Sequence, residues 1–335
     1  MIRTPDKLNI NDTIDLIAPS FGCSSEPYFS RLEKSIKTLN KLGYQIKTGE
    51  NVYLNDGFLS SNSALERAKE FMEAYLDESK AIISVGGGEV MMDMLDHIDF
   101  DKLKQAKPKW FMGFSDNTNL TFLLPILANT KAIYGVNATA FISAKLDNSE
   151  KDSLRLLNND FSYYEGYKKW GMPLKNPSSP LSRTRLNRKS KIYTKEDINV
   201  KGTLLGGCLD IITCLIGTKY DKVAEFSKNN GPIIWILECC DLNPLSFYRS
   251  LMQMKMANYF ENTKAIIIGR PFHYDESIMG VDFIKSANMA LGDLNIPFAI
   301  NAPFGHLYPS LPFVVGAKAN LIIKDNVAGI NYEEE

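Results

Sequence analysis

The chain has 335 residues and only five cysteines, Cys23, Cys208, Cys214, Cys239 and Cys240. The count is odd and no Cys-x-x-Cys occurs, which argues against a disulfide framework and against a zinc site. Histidine is scarcer still, with His97, His273 and His306 the only three. Neither sign of charge is in excess: 38 Lys and Arg stand against 39 Asp and Glu. No overall field would therefore draw in a nucleic acid polymer or an anionic membrane. No apolar run approaches the roughly 18 residues that a membrane span requires. The opening Met1-Ile2-Arg3-Thr4-Pro5-Asp6-Lys7 lacks a cationic-then-apolar signal pattern, so the expected compartment is the cytoplasm. There is no internal repeat, no P-loop and no G-x-G-x-x-G, and the pattern asks for neither a metal nor an organic cofactor.

What is present is ordinary for a soluble enzyme: 44% hydrophobic and 23% charged residues. The length favours two domains. Over the first 140 residues, strand-like and helix-like patterns alternate. Thr13–Ala18, Tyr44–Lys47, Ala81–Val85 and Trp110–Gly113 read as strands. Glu26–Leu42 and Ser63–Leu76 read as helices, the second with Leu65, Ala68, Phe71, Met72 and Tyr75 on one stripe. A further helix is expected after Gly86-Gly87-Gly88, to about Leu95, and another from Ser115 to about Ala128. Such alternation predicts an α/β fold with a parallel sheet and ligands at the strand carboxyl ends. Residues 151–200 are polar and proline-punctuated and read as a connecting segment between domains 1–150 and 201–335. In the last domain, Ile233–Leu237, Ala265–Ile268 and stretches near 297–300 and 312–323 read as strands, and Pro244–Tyr259 as a helix. Tyr332 and the three glutamates after it read as a frayed end.

Pro108–Thr118 carries the strongest chemical signal. A short apolar strand ends at Gly113, and Ser115 follows just before a new apolar segment. A serine at such a junction is held out from the sheet edge, beside backbone N–H groups that could hold an oxyanion. From this stretch alone, the plainer reading is that Ser115 through Thr118 only cap the helix. Gly86-Gly87-Gly88 also follows a strand and could supply oxyanion donors next to Ser115, or could simply be a tight turn. For a base, the loop histidines His306 and His273 are better placed than His97 at a helix end. An acidic partner is offered by Glu238, which closes the apolar strand Ile233–Leu237, with Asp241 as a nearby substitute. The order Ser115, Glu238, His306 is that of the α/β-hydrolases, but their G-x-S-x-G elbow is missing because Asn117 holds its last position.

Taken together, several segments resemble the LD-carboxypeptidase family of serine peptidases, which includes murein tetrapeptide carboxypeptidases and microcin C immunity peptidases. They are Ile17-Ala18-Pro19-Ser20, Glu66-Arg67-Ala68, Ser84-Val85-Gly86-Gly87, Gly113-Phe114-Ser115-Asp116, Gly202–Gly207, Leu237-Glu238, and Gly305-His306 followed by Pro309 and Pro312. The resemblance implies a flavodoxin-like parallel-sheet N-terminal domain, a mixed, β-rich C-terminal domain, and a homodimer. It places the nucleophile on Ser115, the triad glutamate on Glu238 and the histidine on His306. The oxyanion donors fall on the backbone of Gly87 or Gly88 and of Asp116. Two positions depart from the family pattern: Cys208 stands where an asparagine is usual, and Val85 where the murein enzymes carry an arginine. Val85 and the long 151–200 segment are closer to the immunity branch, which stacks an aromatic side chain on a nucleobase in this region. Trp170 is the candidate for that role, with Arg183 and Arg185 as candidate contacts to a phosphate or carboxylate. The reading preferred from the residues alone is a partly buried aromatic beside a solvated charged loop.

The function expected from these readings is hydrolysis of an amide bond near the carboxyl end of a small, unusual peptide. The substrate would be a murein-type tetrapeptide or a peptidyl-nucleotide conjugate. A non-catalytic peptide- or nucleotide-binding protein on the same scaffold, or an esterase, are the competing readings.

Overall fold

The computed structural model describes residues 2–175 and 177–333, so Glu334 and Glu335 lie outside the described residues. The chain divides into two compact units. The first comprises Met1–Asp160, Leu174–Arg183 and Pro312–Val314; the second Phe161–Pro173, Thr184–Leu311 and Val315–Glu335.

The first unit is built on five parallel strands: β1 (Thr13–Ile17), β2 (Gln45–Thr48), β3 (Ala81–Ser84), β4 (Trp110–Gly113) and β5 (Ala132–Tyr134). Their order is β2-β1-β3-β4-β5, with the late strand Phe313–Val315 added beside β5. This is the doubly wound order of flavodoxin-like sheets, in which ligands gather at the switch point between β1 and β3. β3 and β4 are buried along their whole length, as near-continuous apolar runs in a sheet covered on both faces must be.

The helix Ala64–Leu76 starts where Ser63 accepts a hydrogen bond from the Glu66 N–H, so its N-terminus is capped. Its buried face differs from the expected stripe. Leu65 is exposed, while Arg67 and Glu70 are buried beside Ala68, Phe71 and Tyr75. The polar pair is there because loop backbone needs it. Arg67 donates to the Pro19 carbonyl at 3.0 Å, and Glu70 accepts from the N–H groups of Ala18 and Asn51. Hydropathy cannot register such satisfied polar groups. After the three glycines the chain forms a 3₁₀ segment, Met91–His97, instead of the expected α-helix.

The second unit holds an eight-stranded mixed sheet. Its order is Tyr163–Glu165, Val327–Tyr332, Lys318–Lys324, Ile198–Cys208, Ile233–Glu238, Thr263–Gly269, Phe298–Ala302, Tyr193–Thr194. Ile198–Cys208, Ile233–Glu238, Thr263–Gly269 and Phe298–Ala302 run parallel, and the flanking strands pair antiparallel. The N-terminal parallel sheet and separate mixed, β-rich sheet are the expected fold class. Two details differ. The stretch 312–323 is two strands in different sheets, and Tyr332 is buried in the last strand instead of frayed. Residues 145–200 contain the helix Asn148–Leu157 and a small ribbon in which Lys169–Trp170 pairs with Arg188–Lys189.

Candidate active site

In the first unit, Ser115 comes straight off β4 through Phe114. Its φ is +64°, a left-handed conformation that a serine adopts only when its surroundings hold it there. Neither Phe114, ahead of the 3₁₀ turn Ser115–Asn117, nor Asn117, ahead of the helix Thr118–Leu127, makes a side-chain cap hydrogen bond. The turn is held on several sides. The Ser115 N–H donates to the Tyr134 hydroxyl at 3.1 Å, and its carbonyl accepts from the Thr118 hydroxyl at 2.8 Å. Asn117 donates to the carbonyls of Gly86 (2.8 Å) and Phe114 (2.9 Å).

Asp116 is the anchor of this corner. Its carboxylate accepts from the Ser20 hydroxyl at 2.5 Å, the Met91 N–H at 2.9 Å and the Asn119 amide at 3.0 Å. It thereby ties the turn to the loops that follow β1 and β3. Burial pushes its carboxyl upward, against those hydrogen bonds, which favour the charged form. The glycines sit where a donor pair would be wanted. A Cβ on Gly87 would come within 3.0 Å of the Ser115 Cβ and 3.3 Å of its Oγ. One on Gly88, at φ +148°, would strike the Ser20 hydroxyl at 2.2 Å. Only glycine allows the backbone this close to the hydroxyl.

In the second unit, Glu238 ends its strand with only 2% of its surface exposed. The His306 Nδ1 lies 2.8 Å from Glu238 Oε2. A carboxylate can only accept, so in the neutral form Nδ1 carries the proton and Nε2 is the basic ring nitrogen. Gly305 makes the approach possible. It has φ +101°, and a Cβ there would lie 3.0 Å from the Glu238 Cβ and 3.1 Å from Oε2. Burial alone would lower the His306 pKa, but the Glu238 charge and the ring's hydrogen bonds to Cys240 and Glu238 outweigh it. The net result is well above the usual histidine value.

Cys240, which the sequence offered no reason to choose, thus touches the same imidazole. Burial pushes its thiol up, opposed by His306. Cys208 and Cys239 are fully buried, and burial raises both thiols well above the usual range. None of the three has the lowered pKa of a nucleophilic cysteine. Asp241, the substitute for Glu238, is exposed and gives its N–H to Asp210. His273 is 43% exposed, with Glu276 3.6 Å away, and His97 is exposed at the end of its 3₁₀ segment.

The candidate substrate contacts are engaged elsewhere. Trp170 is 2% exposed, so its ring presents no open face for a nucleobase. It packs on Tyr274, with ring centroids 4.8 Å apart, and lies against the guanidinium groups of Arg188 and Arg270. Arg183 forms ion pairs with Asp147 (2.8 Å) and Glu150 (2.9 Å). Arg185 is exposed, and its carbonyl packs on Gly171. Cys208 pairs in register with Glu238 and donates its S–H to Asp210 at 3.3 Å. Among the described residues, no cluster of three or more His, Cys, Asp or Glu could hold a metal ion. No helix among them is long and apolar enough to cross a membrane.

The sequence profile of the LD-carboxypeptidase N-terminal domain matches residues 14–135, and that of the C-terminal domain matches 201–321. The chain belongs to the LD-carboxypeptidase family. Among its relatives is a protein of Bacillus subtilis (strain 168) named "Probable murein peptide carboxypeptidase". It is 25% identical, over 97% of this chain and 93% of the relative. A solved MccF-like protein from Bacillus anthracis superposes with a TM-score of 0.83 at 23% identity, over 99% of this chain and 100% of that one. The muramoyltetrapeptide carboxypeptidase from Oxalobacter formigenes gives 0.74 at 22% identity, covering 96% and 99%. Microcin C7 self-immunity protein MccF, solved with aspartyl sulfamoyl adenosine, gives 0.83 at 21% identity, covering 98% of each chain.

As an LD-carboxypeptidase relative, the chain is a peptidase by family. Its two departures both lie in the interior: Val85 is completely buried after β3, and Cys208 is 2% exposed.

Proposed function

We propose that this chain is a serine carboxypeptidase that removes the terminal residue of a murein-type tetrapeptide through Ser115, His306 and Glu238. Ser115 Oγ attacks the scissile carbonyl. His306 Nε2 takes the hydroxyl proton and returns it to the leaving amine, and Glu238 fixes the tautomer and stabilises the imidazolium. The backbone N–H groups of Gly87 or Gly88 and of Asp116 hold the oxyanion. Water then hydrolyses the acyl-enzyme with His306 as base. The observation that supports this reading is the buried Nδ1–Glu238 hydrogen bond of 2.8 Å, which fixes the tautomer in which Nε2 is the basic nitrogen. The strained φ of Ser115 supports it from the other half of the triad.

A second reading is an immunity-type peptidase acting on a peptidyl-aminoacyl-nucleotide. It is favoured by Val85 in place of an arginine ahead of the glycine pair. The test incubates wild type and Ser115→Ala with a murein tetrapeptide ending in D-alanine and with a peptidyl-aminoacyl-nucleotide, followed by mass spectrometry. Release of D-alanine by wild type, falling by at least about a thousandfold in the variant, supports the first reading. Cleavage of the conjugate alone supports the second. No cleavage of either by wild type overturns both and leaves a binding protein on this scaffold.

A further inference from the structure

The loop that carries His306 is held from outside by two residues that the triad does not use. Arg270 follows the strand Thr263–Gly269 and is 1% exposed. Its N–H donates to the carbonyls of Ala302 (3.1 Å) and Phe304 (3.0 Å). Its guanidinium Nη2 donates to those of Leu307 (3.2 Å) and Pro309 (2.8 Å). The carbonyl between them, on Tyr308, accepts from the N–H of Gly171, the residue after Trp170, at 3.0 Å. Three successive carbonyls after the histidine are therefore fixed, two by Arg270 and one by the Trp170 segment.

The two clamps are joined. The Arg270 guanidinium carbon lies 5.4 Å from the Trp170 ring centroid. The indole is itself pinned by its N–H to the Lys189 carbonyl at 3.1 Å and by Tyr274. Arg270 is a costly choice for a purely structural position. Burial pushes its pKa down to about 10, and its Nε and Nη1 have no hydrogen-bond partner. An apolar side chain of similar size commonly stabilises such a site as well or better. What an apolar side chain cannot do is donate to two carbonyls of one loop, as Nη2 does.

We propose that Arg270 and Trp170 act as a pair of positioning residues that hold the His306 loop in its catalytic register. On this account Trp170 serves the histidine and not a nucleobase. The proposal rests on the reading of His306 as the catalytic base, so its test includes a readout that does not depend on turnover. Wild type, Arg270→Met, Arg270→Lys, Trp170→Ala and Trp170→Phe are compared in three ways. These are kcat and KM on the cleaved substrate, the low-field proton resonance of His306 Nδ1–H, and the melting temperature. Misplacing a catalytic group by about 1 Å can cost about a hundredfold. Arg270→Met and Trp170→Ala are accordingly expected to lose about that much kcat, with KM within about twofold. The His306 resonance should broaden or disappear in both, while Trp170→Phe and Arg270→Lys retain part of each signal.

The proposal is overturned if the variants lower the melting temperature but leave kcat and the resonance unchanged. It is also overturned if Trp170→Ala raises only the KM for a nucleotide substrate, as a base platform would. If wild type cleaves nothing, the proposed function fails, and the resonance alone decides whether the loop is held by this pair. Should either severe variant fail to fold, Trp170→Phe and Arg270→Lys decide by the same readouts.

Discussion

At the residue scale, the proposed mechanism depends on which proton His306 carries. Its pKa is raised above the ordinary histidine value because the Glu238 carboxylate and Cys240 outweigh its burial. A general base must be neutral to act, so kcat/KM is expected to rise with pH along an acidic limb centred above pH 6.5. The same pair contributes to stability with the opposite sign. The attraction between imidazolium and carboxylate is fully present below the unfolded histidine value near 6.5. It is lost as pH rises through the higher folded value. A pH–rate profile of wild type beside Glu238→Gln checks this: the limb should move to lower pH in the variant as kcat falls. An unshifted limb would mean that another group sets it.

Much of this site was legible in single residues. A carboxylate directly after five apolar residues, as at Glu238, had to be paired or exposed, and it is paired. Arg270 was not legible, because its partners are four carbonyls brought together only by the fold. Cys240 was equally hidden, since nothing near it in sequence announces an imidazole. For Trp170 the sequence left two readings open, a base platform and a partly buried aromatic, and in the structure two arginines and a tyrosine close around it.

At the scale of elements, the strand ends do the positioning. β4 delivers Ser115, and the strand Ile233–Glu238 delivers Glu238. The segment after that strand leads to Asn243, whose side chain accepts from the N–H groups of Leu245 (3.0 Å) and Ser246 (2.9 Å) and caps the helix Pro244–Met256. Asn243→Ala should cost about 1 kcal/mol. In urea denaturation that appears as a lower midpoint with the slope unchanged. A loss of less than about 0.3 kcal/mol would contradict the assigned cap, given the usual range for such substitutions.

Buried strands with uniform apolar runs, such as Trp110–Gly113, were readable to the residue. The strand Ile198–Cys208 was harder, because Gly202, Gly206 and Gly207 break its pattern. Those glycines are required by close packing: a Cβ on Gly206 would lie 1.8 Å from the Ile236 carbonyl oxygen. The 3₁₀ segment after the triple glycine was also missed. Its apolar spacing is close to that of an α-helix, and period alone does not separate the two.

At the scale of the whole molecule, the residues of the proposed mechanism fall in two units. Ser115, Asp116, Gly87 and Gly88 belong to the first, and Glu238, His306, Cys240 and Arg270 to the second. The proposed mechanism requires the two sets to act on one another. The most direct measurement is the site and rate of covalent labelling by a fluorophosphonate, read by intact-protein and peptide mass spectrometry. Wild type should take up one adduct, on Ser115. Ser115→Ala should take up none, and His306→Ala should label at least about a hundredfold more slowly because its base is gone. An adduct on any other residue, or labelling of Ser115 at the same rate without His306, would contradict the proposed triad.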